Sequence, residues 1–303
     1  MQGTSIIPYL LSLVLAPLAL GVINRVKAVF AGRKGQPLLQ AYFDIFKLLR
    51  KGAVYSRTTT WIFRAGPVVS LGAVLLSLTM IPWGGFPALL AFDGDILVFV
   101  YVLGVARFFT VIAALDTGSA FEGMGASREV LFSAIAEPAL LLGLVTLARL
   151  TSGWSLSTVL PGVSTATWIM AGASLSLLCL AWMIVFLAEN SRIPVDDPNT
   201  HLELTMIHEV MVLDHSGPDF ACILYGSSLK LWTLGALLAN VLVPVRTGSA
   251  FIDILATIGG VFALAAVTGV IESTRARLRL LRVPHLIAAA GALSVLSLVL
   301  LVR

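Results

Sequence analysis

The sequence predicts an all-α polytopic membrane protein, with about eight transmembrane helices and one amphipathic helix lying on the inner membrane surface. Three observations carry this. Of the 303 residues, 58% are hydrophobic and only 12% charged. The mean hydropathy is +0.97. Apolar runs of about eighteen residues or more recur along the chain, and a 32.1 kDa fold lacks the interior to hide them all from water. Residues 1–303 therefore read as a single membrane domain.

The first span runs from about Ile6 to Ala28. It has no basic segment ahead of it and no convincing small-residue cleavage site before Arg25 and Lys27, so it reads as a retained span rather than a signal peptide. In the loop that follows, QPLLQAYFDIFKLLRKG repeats apolar residues at three and four: Leu38, Leu39, Tyr42, Phe43, Phe46 and Leu49. Asp44, Lys47, Arg50 and Lys51 take the other side. This is the pattern of a helix held along a surface by apolar burial and by basic attraction to lipid headgroups or a partner.

Spans two and three are expected at about Ala65 to Ile81 and Ile96 to Leu115. The connection after them, DTGSAFEGMGASRE, reads as a polar, glycine-rich loop carrying Asp116, Glu122, Arg128 and Glu129. Spans four and five follow at about Val130 to Leu150 and Thr165 to Ala188. The last three lie at about Phe220 to Val243, Phe251 to Ile271 and Pro284 to Val302. Each is about 17 to 24 residues long, enough to cross a hydrocarbon layer of roughly 30 Å.

The loop from Arg25 to Arg64 holds nine basic residues, and the loop after span seven adds Arg275, Arg277, Arg279 and Arg282. With Arg128 and Arg192, fifteen basic residues fall on one face against Arg149, Arg246 and Arg303 on the other. The positive-inside rule then places both termini outside. No basic tract is interleaved with aromatics, which excludes a nucleic-acid partner. Cys179 and Cys222 fall in apolar segments with no pairing or ligand spacing.

Four charges interrupt the spans: Arg107 in the third, Glu137 in the fourth, Lys230 in the sixth and Asp253 at the start of the seventh. A charge within a bilayer must face protein, a partner charge or water. Glu137 is the leading candidate for handling protons, because a carboxyl group removed from water holds its proton more readily. Glu122 and Glu129 would continue a line of carboxylates toward it from the inner face. The plainer readings are a structural Arg107–Glu137 pair, a Lys230 that snorkels or meets another subunit, and an Asp253 that caps its helix.

Titratable residues are densest in AENSRIPVDDPNTHLELTMIHEVMVLDHSG, residues 188–217. Pro194 and Pro198 break the helix and place Asp196 and Asp197 in a turn. From Thr200 the spacing predicts a new helix with His201, His208 and His215 on one face, flanked by Glu203 and Glu209. Successive histidines would stand about 10 Å apart along it, too far to share a metal ion. The HExxH pattern is incomplete at His208-Glu209. No metal site is expected, and proton exchange or hydrogen bonding at an interface fits these histidines better.

The same segment resembles the signature loop of the membrane anchor subunit of formate hydrogenlyase and related group 4 membrane-bound nickel-iron hydrogenases. That family is homologous to the H subunit of respiratory complex I. GRKGQPLLQAYFDIFKLLRK is similar to the family's first inner loop, FEGMGASREVLFSAIAEP to its Glu-bearing segment, and ESTRARLRL to the basic loop before its last helix. The resemblance implies an eight-helix, non-catalytic anchor in a prokaryotic cytoplasmic membrane. The chain would sit beneath a nickel-iron-type large subunit and a small iron-sulfur subunit, and beside antiporter-like membrane subunits and lipid.

Residue by residue, Glu189, Arg192, Pro194 and Asp196 match the family's AE-x-x-R-x-P core and the acidic position after it. Glu203 matches the downstream carboxylate, while Glu129 and Glu137 fall in the acidic segment. The implied role is a carboxylate relay joining the arm junction to the membrane axis, with Glu122, Arg128, Arg192, Pro194, Asp197, His201 and His208 at the junction. Nickel-iron and iron-sulfur centres would belong to the partners, since this chain has no CxxC. DDPNTHLELTMIHE departs from the complex I pattern, so quinone is not expected. The alternative is a quinone-binding H-type subunit of a complex I-like donor:quinone oxidoreductase. A stand-alone transporter is disfavoured, because no inverted repeat is visible.

Overall fold

The computed structural model describes residues 5–197 and 206–302. His201 and Glu203 lie outside the described residues. The described residues form ten α-helices: α1 (Ile6–Phe30), α2 (Gln40–Leu49), α3 (Trp61–Thr79), α4 (Asp95–Asp116), α5 (Ala120–Thr151), α6 (Leu156–Gly162), α7 (Thr165–Glu189), α8 (Gly217–Leu242), α9 (Ala250–Thr274) and α10 (Val283–Val302). No strand occurs among the described residues. Eight of these helices are long and apolar enough to cross a membrane, and α2 and α6 are the short ones. The protein is a multi-pass, all-α membrane protein.

Apolar periodicity alone does not fix which spans touch; polar pairings do much of that. Asp116 at the end of α4 accepts from the Thr60 N–H at 2.7 Å and the Phe63 N–H at 3.3 Å, which closes the open N-terminus of α3 and ties the two spans together. Ser294 of α10 donates to the Ala139 carbonyl of α5 at 2.9 Å. Ser174 of α7 donates to the Ser297 carbonyl of α10 at 2.7 Å. Small hydroxyl residues of this kind let helices approach closely where lipid supplies no hydrophobic drive. The span α8 packs against α1, α2, α3, α7 and α9 and is the most enclosed, with 67% of its apolar window buried.

Two local expectations are corrected. The connection after α4 is not a loop to Glu129: α5 begins at Ala120, so Glu122, Arg128 and Glu129 are helical. Glycine weakens a helix by about 1 kcal/mol relative to Ala. Here Gly125 is instead the point where residues 207–211 lie against α5. A Cβ there would overlap the Val210 side chain and stand 2.9 Å from the Ile207 carbonyl oxygen.

The helix expected from Thr200 is reduced, among described residues, to the 3-10 turn Glu209–Val212. Asp196 Oδ2 accepts from the Ile207 and His208 N–H groups at 3.1 and 3.2 Å, and so captures donors that a helix would need. His208 and His215 consequently point to different partners.

The amphipathic helix expected in the first loop is α2, with Asp44 the one residue placed differently. Ala41, Tyr42, Ile45 and Leu48 are half-buried, whereas Leu39, Phe43, Phe46 and Leu49 are 50 to 62% exposed. Apart from Tyr42, whose hydroxyl donates to the Val14 carbonyl of α1, the apolar stripe faces away from the bundle, as a helix lying along a surface requires. Asp44, placed by sequence on the far side, is half-buried and accepts from Gln40 Nε2 at 2.8 Å.

Candidate functional site

The spans alternate in direction, so the basic connections gather at one end of the bundle, here called the basic end. Between that end and the middle of the spans, Arg107 on α4 meets carboxylates from two other helices. Its Nη2 lies 2.7 Å from Glu189 Oε1 at the end of α7. Its Nε is 3.5 Å from Glu129 Oε1 and its Nη1 is 3.5 Å from Glu137 Oε2, both on α5. Two helical turns separate Glu129 from Glu137, which is why one guanidinium can reach both. On the other side, Lys230 Nζ of α8 lies 2.7 Å from Glu189 Oε2. Glu189 is therefore held by a cation on each oxygen.

The group continues toward the basic end. His208 Nε2 is 3.0 Å from Glu129 Oε2, and its Nδ1 is 3.8 Å from Asp196 Oδ2. These are ion pairs by distance, since neither ring nitrogen completes an aligned hydrogen bond. Asp196 Oδ1 receives Arg277 Nη2 at 2.8 Å. Burial would depress the His208 pKa, but the Glu129 and Asp196 carboxylates outweigh it and raise it to about 9. Burial likewise opposes ionisation of Asp196, yet hydrogen bonding and charge from His208, with Arg277 beyond, hold its carboxyl below the usual range. With His208 protonated, four cations (Arg107, Lys230, His208, Arg277) balance four carboxylates (Glu129, Glu137, Glu189, Asp196).

Exposure separates these groups. The Glu129 and Glu189 side chains are 7 and 8% exposed, while Glu137 is 27% exposed and bound only by the longer 3.5 Å contact. Of the four carboxylates, Glu137 is the least tightly held.

A second network joins the same loop to other helices. Glu272 at the end of α9 receives Lys27 of α1 on Oε2 at 2.7 Å and Arg192 on Oε1 at 3.4 Å. Sequence reasoning missed both Lys27 and Glu272 as partners. Their only signal was their place at the basic ends of spans, where charge is ordinary.

The other candidate residues serve the loop that carries Asp196 and His208. Arg128 Nη1 donates to the Met206 carbonyl at 2.9 Å. The Pro194 carbonyl accepts from the Leu278 N–H at 3.0 Å, and the Asp197 N–H donates to Asp196 Oδ1 at 2.9 Å. Glu122 is buried in the first turn of α5 and accepts from the Asp214 N–H at 3.2 Å, apart from the Arg107 group. His215 stacks on Phe63 with ring centroids 3.9 Å apart, and burial lowers its pKa. Asp253 is far from this region. It stands in the first turn of α9, where it accepts from the Thr247 N–H at 2.9 Å and hydroxyl at 2.8 Å.

The NADH dehydrogenase family matches residues 4–302. Formate hydrogenlyase subunit 4 of Escherichia coli (strain K12) is 31% identical over 271 residues, covering 88% of this chain and 87% of that protein. Hydrogenase-4 component C of the same strain is 28% identical over 281 residues, covering 90% of this chain and 87% of the relative. Among solved structures, a chain of the membrane-bound sulfane sulfur reductase, an archaeal respiratory membrane complex, superposes with a TM-score of 0.79. It is 19% identical, and the alignment covers 97% of this chain and 99% of the other, which speaks for the shared fold. By the family match over nearly its whole length and by its formate hydrogenlyase relative, this chain belongs to the NADH dehydrogenase family of membrane subunits.

Proposed function

We propose that this chain is the membrane-embedded coupling and anchoring subunit of a hydrogenase-type redox complex. It links electron transfer in a peripheral nickel-iron and iron-sulfur arm to movement of protons or sodium ions. The observation that carries the reading is the Arg107-centred group, in which charges from α4, α5, α7 and α8 meet inside the spans and continue through His208 and Asp196 to the basic end. Burying so many charges is expensive unless they pair. Paired, they form a path along which protonation of one member shifts its neighbours.

In this reading the arm docks on the basic end, over the loop holding Arg192, Pro194, Asp196, Asp197 and His208, with Glu122 and Arg128 positioning that loop. Redox change in the arm displaces the loop and alters how His208 shares its charge between Asp196 and Glu129. Loss of the His208 proton would leave the group one negative charge in excess, and uptake at the loosely held Glu137 would restore balance. Glu137 is then the member that passes charge to a neighbouring antiporter-like subunit. The large and small arm subunits supply the metal centres; Cys179 and Cys222 are isolated thiols and offer no cluster site. The chain lies in a prokaryotic cytoplasmic membrane with its basic end inward and both termini outward.

Affinity purification of the tagged chain in mild detergent, with partner identification and metal analysis, tests this. Recovery of a nickel-binding large subunit, an iron-sulfur subunit and antiporter-like subunits is expected. Recovery of a flavin-bearing NADH module with quinone reductase activity overturns it.

A further inference from the structure

A cavity of about 500 Å³ opens at the basic end, away from the Arg107 group, between the last turns of α1 and α9 and the connection that follows α1. Its lining includes Lys27, Arg33, Asn24, Gln36, Ser273 and Phe30, and no carboxylate residue. The nearby carboxylate, Glu272, is occupied on both oxygens, by Lys27 and by Arg192. Lys27 keeps 25% of its side chain exposed and has N–H donors beyond the one directed at Glu272. Arg33 is exposed.

The cavity wall is built rather than loose. Gly32 and Gly35 take φ of +63° and +67°, which turn the chain back onto α1. A Cβ on Gly35 would overlap that of Ala28. Arg25 Nη1 donates to the Lys34 carbonyl and pins the turn from its other side. Beside the polar lining stand apolar groups at the same level: Val29 is 69% and Phe30 55% exposed. Cations and neutral donors thus converge where exposed apolar surface begins. That is the chemistry of a phosphate group attached to an acyl chain.

We propose that this pocket binds the phosphate headgroup of an anionic phospholipid, with Lys27 and Arg33 as charged donors, Asn24 and Gln36 as neutral donors, and Val29 and Phe30 against the first part of the acyl chain. The site stands independently of the coupling role. It does touch that machinery: a phosphate on Lys27 competes with Glu272, whose other cation, Arg192, shares a loop with Glu189 and Asp196.

The test is a lipid titration of the purified protein in its native assembly, in mild detergent, followed by native mass spectrometry of individual binding events. Phosphatidylglycerol is expected to bind in preference to phosphatidylcholine. Arg33→Gln, on an exposed side chain that holds no part of the fold, should weaken the first phosphatidylglycerol event about fivefold, the effect of one basic residue near an anionic headgroup. Arg57→Gln, an equal change of charge elsewhere at the basic end, should not. Equal losses in the two variants, or equal binding of the two lipids, overturn the proposal. Displacement of the lipid by inorganic phosphate at equal concentration reassigns the pocket to free phosphate and also overturns it. So does an assembly structure in which a partner carboxylate fills the cavity.

Discussion

His208 Nε2 and Glu129 Oε2 stand 3.0 Å apart, one on an irregular segment at the basic end and the other on α5 within the spans. The pair joins the loop holding Asp196 to the carboxylates around Arg107. Both sides of the proposed coupling therefore depend on whether His208 carries a proton.

The first prediction follows from that dependence. The folded-state pKa of His208 is raised to about 9, above the roughly 6.5 of an unfolded histidine. Its stabilising contribution is thus complete below about 6.5 and is lost as pH rises through about 9. Thermal unfolding of the detergent-solubilised protein should show a falling midpoint across this window. The His208→Gln variant should start lower and lose that slope.

Glu137→Gln removes a proton-binding group at a position that is partly exposed and loosely paired. Assembly should be retained. Ion-gradient formation by reconstituted vesicles should fall by about a hundredfold, the lower end for loss of a positioned proton carrier. An unchanged gradient would remove Glu137 from the relay.

Arg107→Gln leaves Glu129, Glu137 and Glu189 close together with Lys230 and His208 as their remaining cations. Breaking a buried charge group by removing one partner destabilises by about 3 to 5 kcal/mol. The yield of folded protein in size-exclusion chromatography should drop sharply. Arg107→Lys, which keeps the charge but loses the planar fork, should recover only part of it.

Gly125→Ala tests the contact between α5 and residues 207–211. Its Cβ would strike Val210, and overpacking of this kind costs about 1 to 3 kcal/mol. Hydrogen exchange should accelerate in residues 207–213 while the transmembrane helices stay protected.

The eight spans were legible because each is a long apolar run, and length and hydropathy do not depend on what a helix packs against. Arg107, Glu137 and Lys230 were legible as candidates for a related reason: a charge inside a span has to be matched somewhere. The Arg107–Glu137 pairing was legible too, since both charges sit in neighbouring spans, but the partners of Glu189 and Lys230 were not. Nothing near Glu189 in sequence announces that it bridges Arg107 and Lys230, because α4, α7 and α8 meet only in the folded bundle. The histidine spacing misled because periodicity describes what a backbone could do, and Asp196 bonds the N–H groups of Ile207 and His208 into another path. The reach of α5 back to Ala120 was hidden by glycines, whose helical cost is offset by the close contact at Gly125.

The enclosure of α8 has a consequence for biogenesis. It has the lowest mean hydropathy of the eight spans, 1.3 against 1.6 to 2.4, and it carries Lys230 near its centre. On insertion scales a central lysine costs about 2.5 to 3.5 kcal/mol. A ribosome delivers α7 first, so Glu189 is already waiting when Lys230 enters the membrane. Order of synthesis supplies the counterion, and α8 is the segment whose integration should fail when the preceding span is deleted.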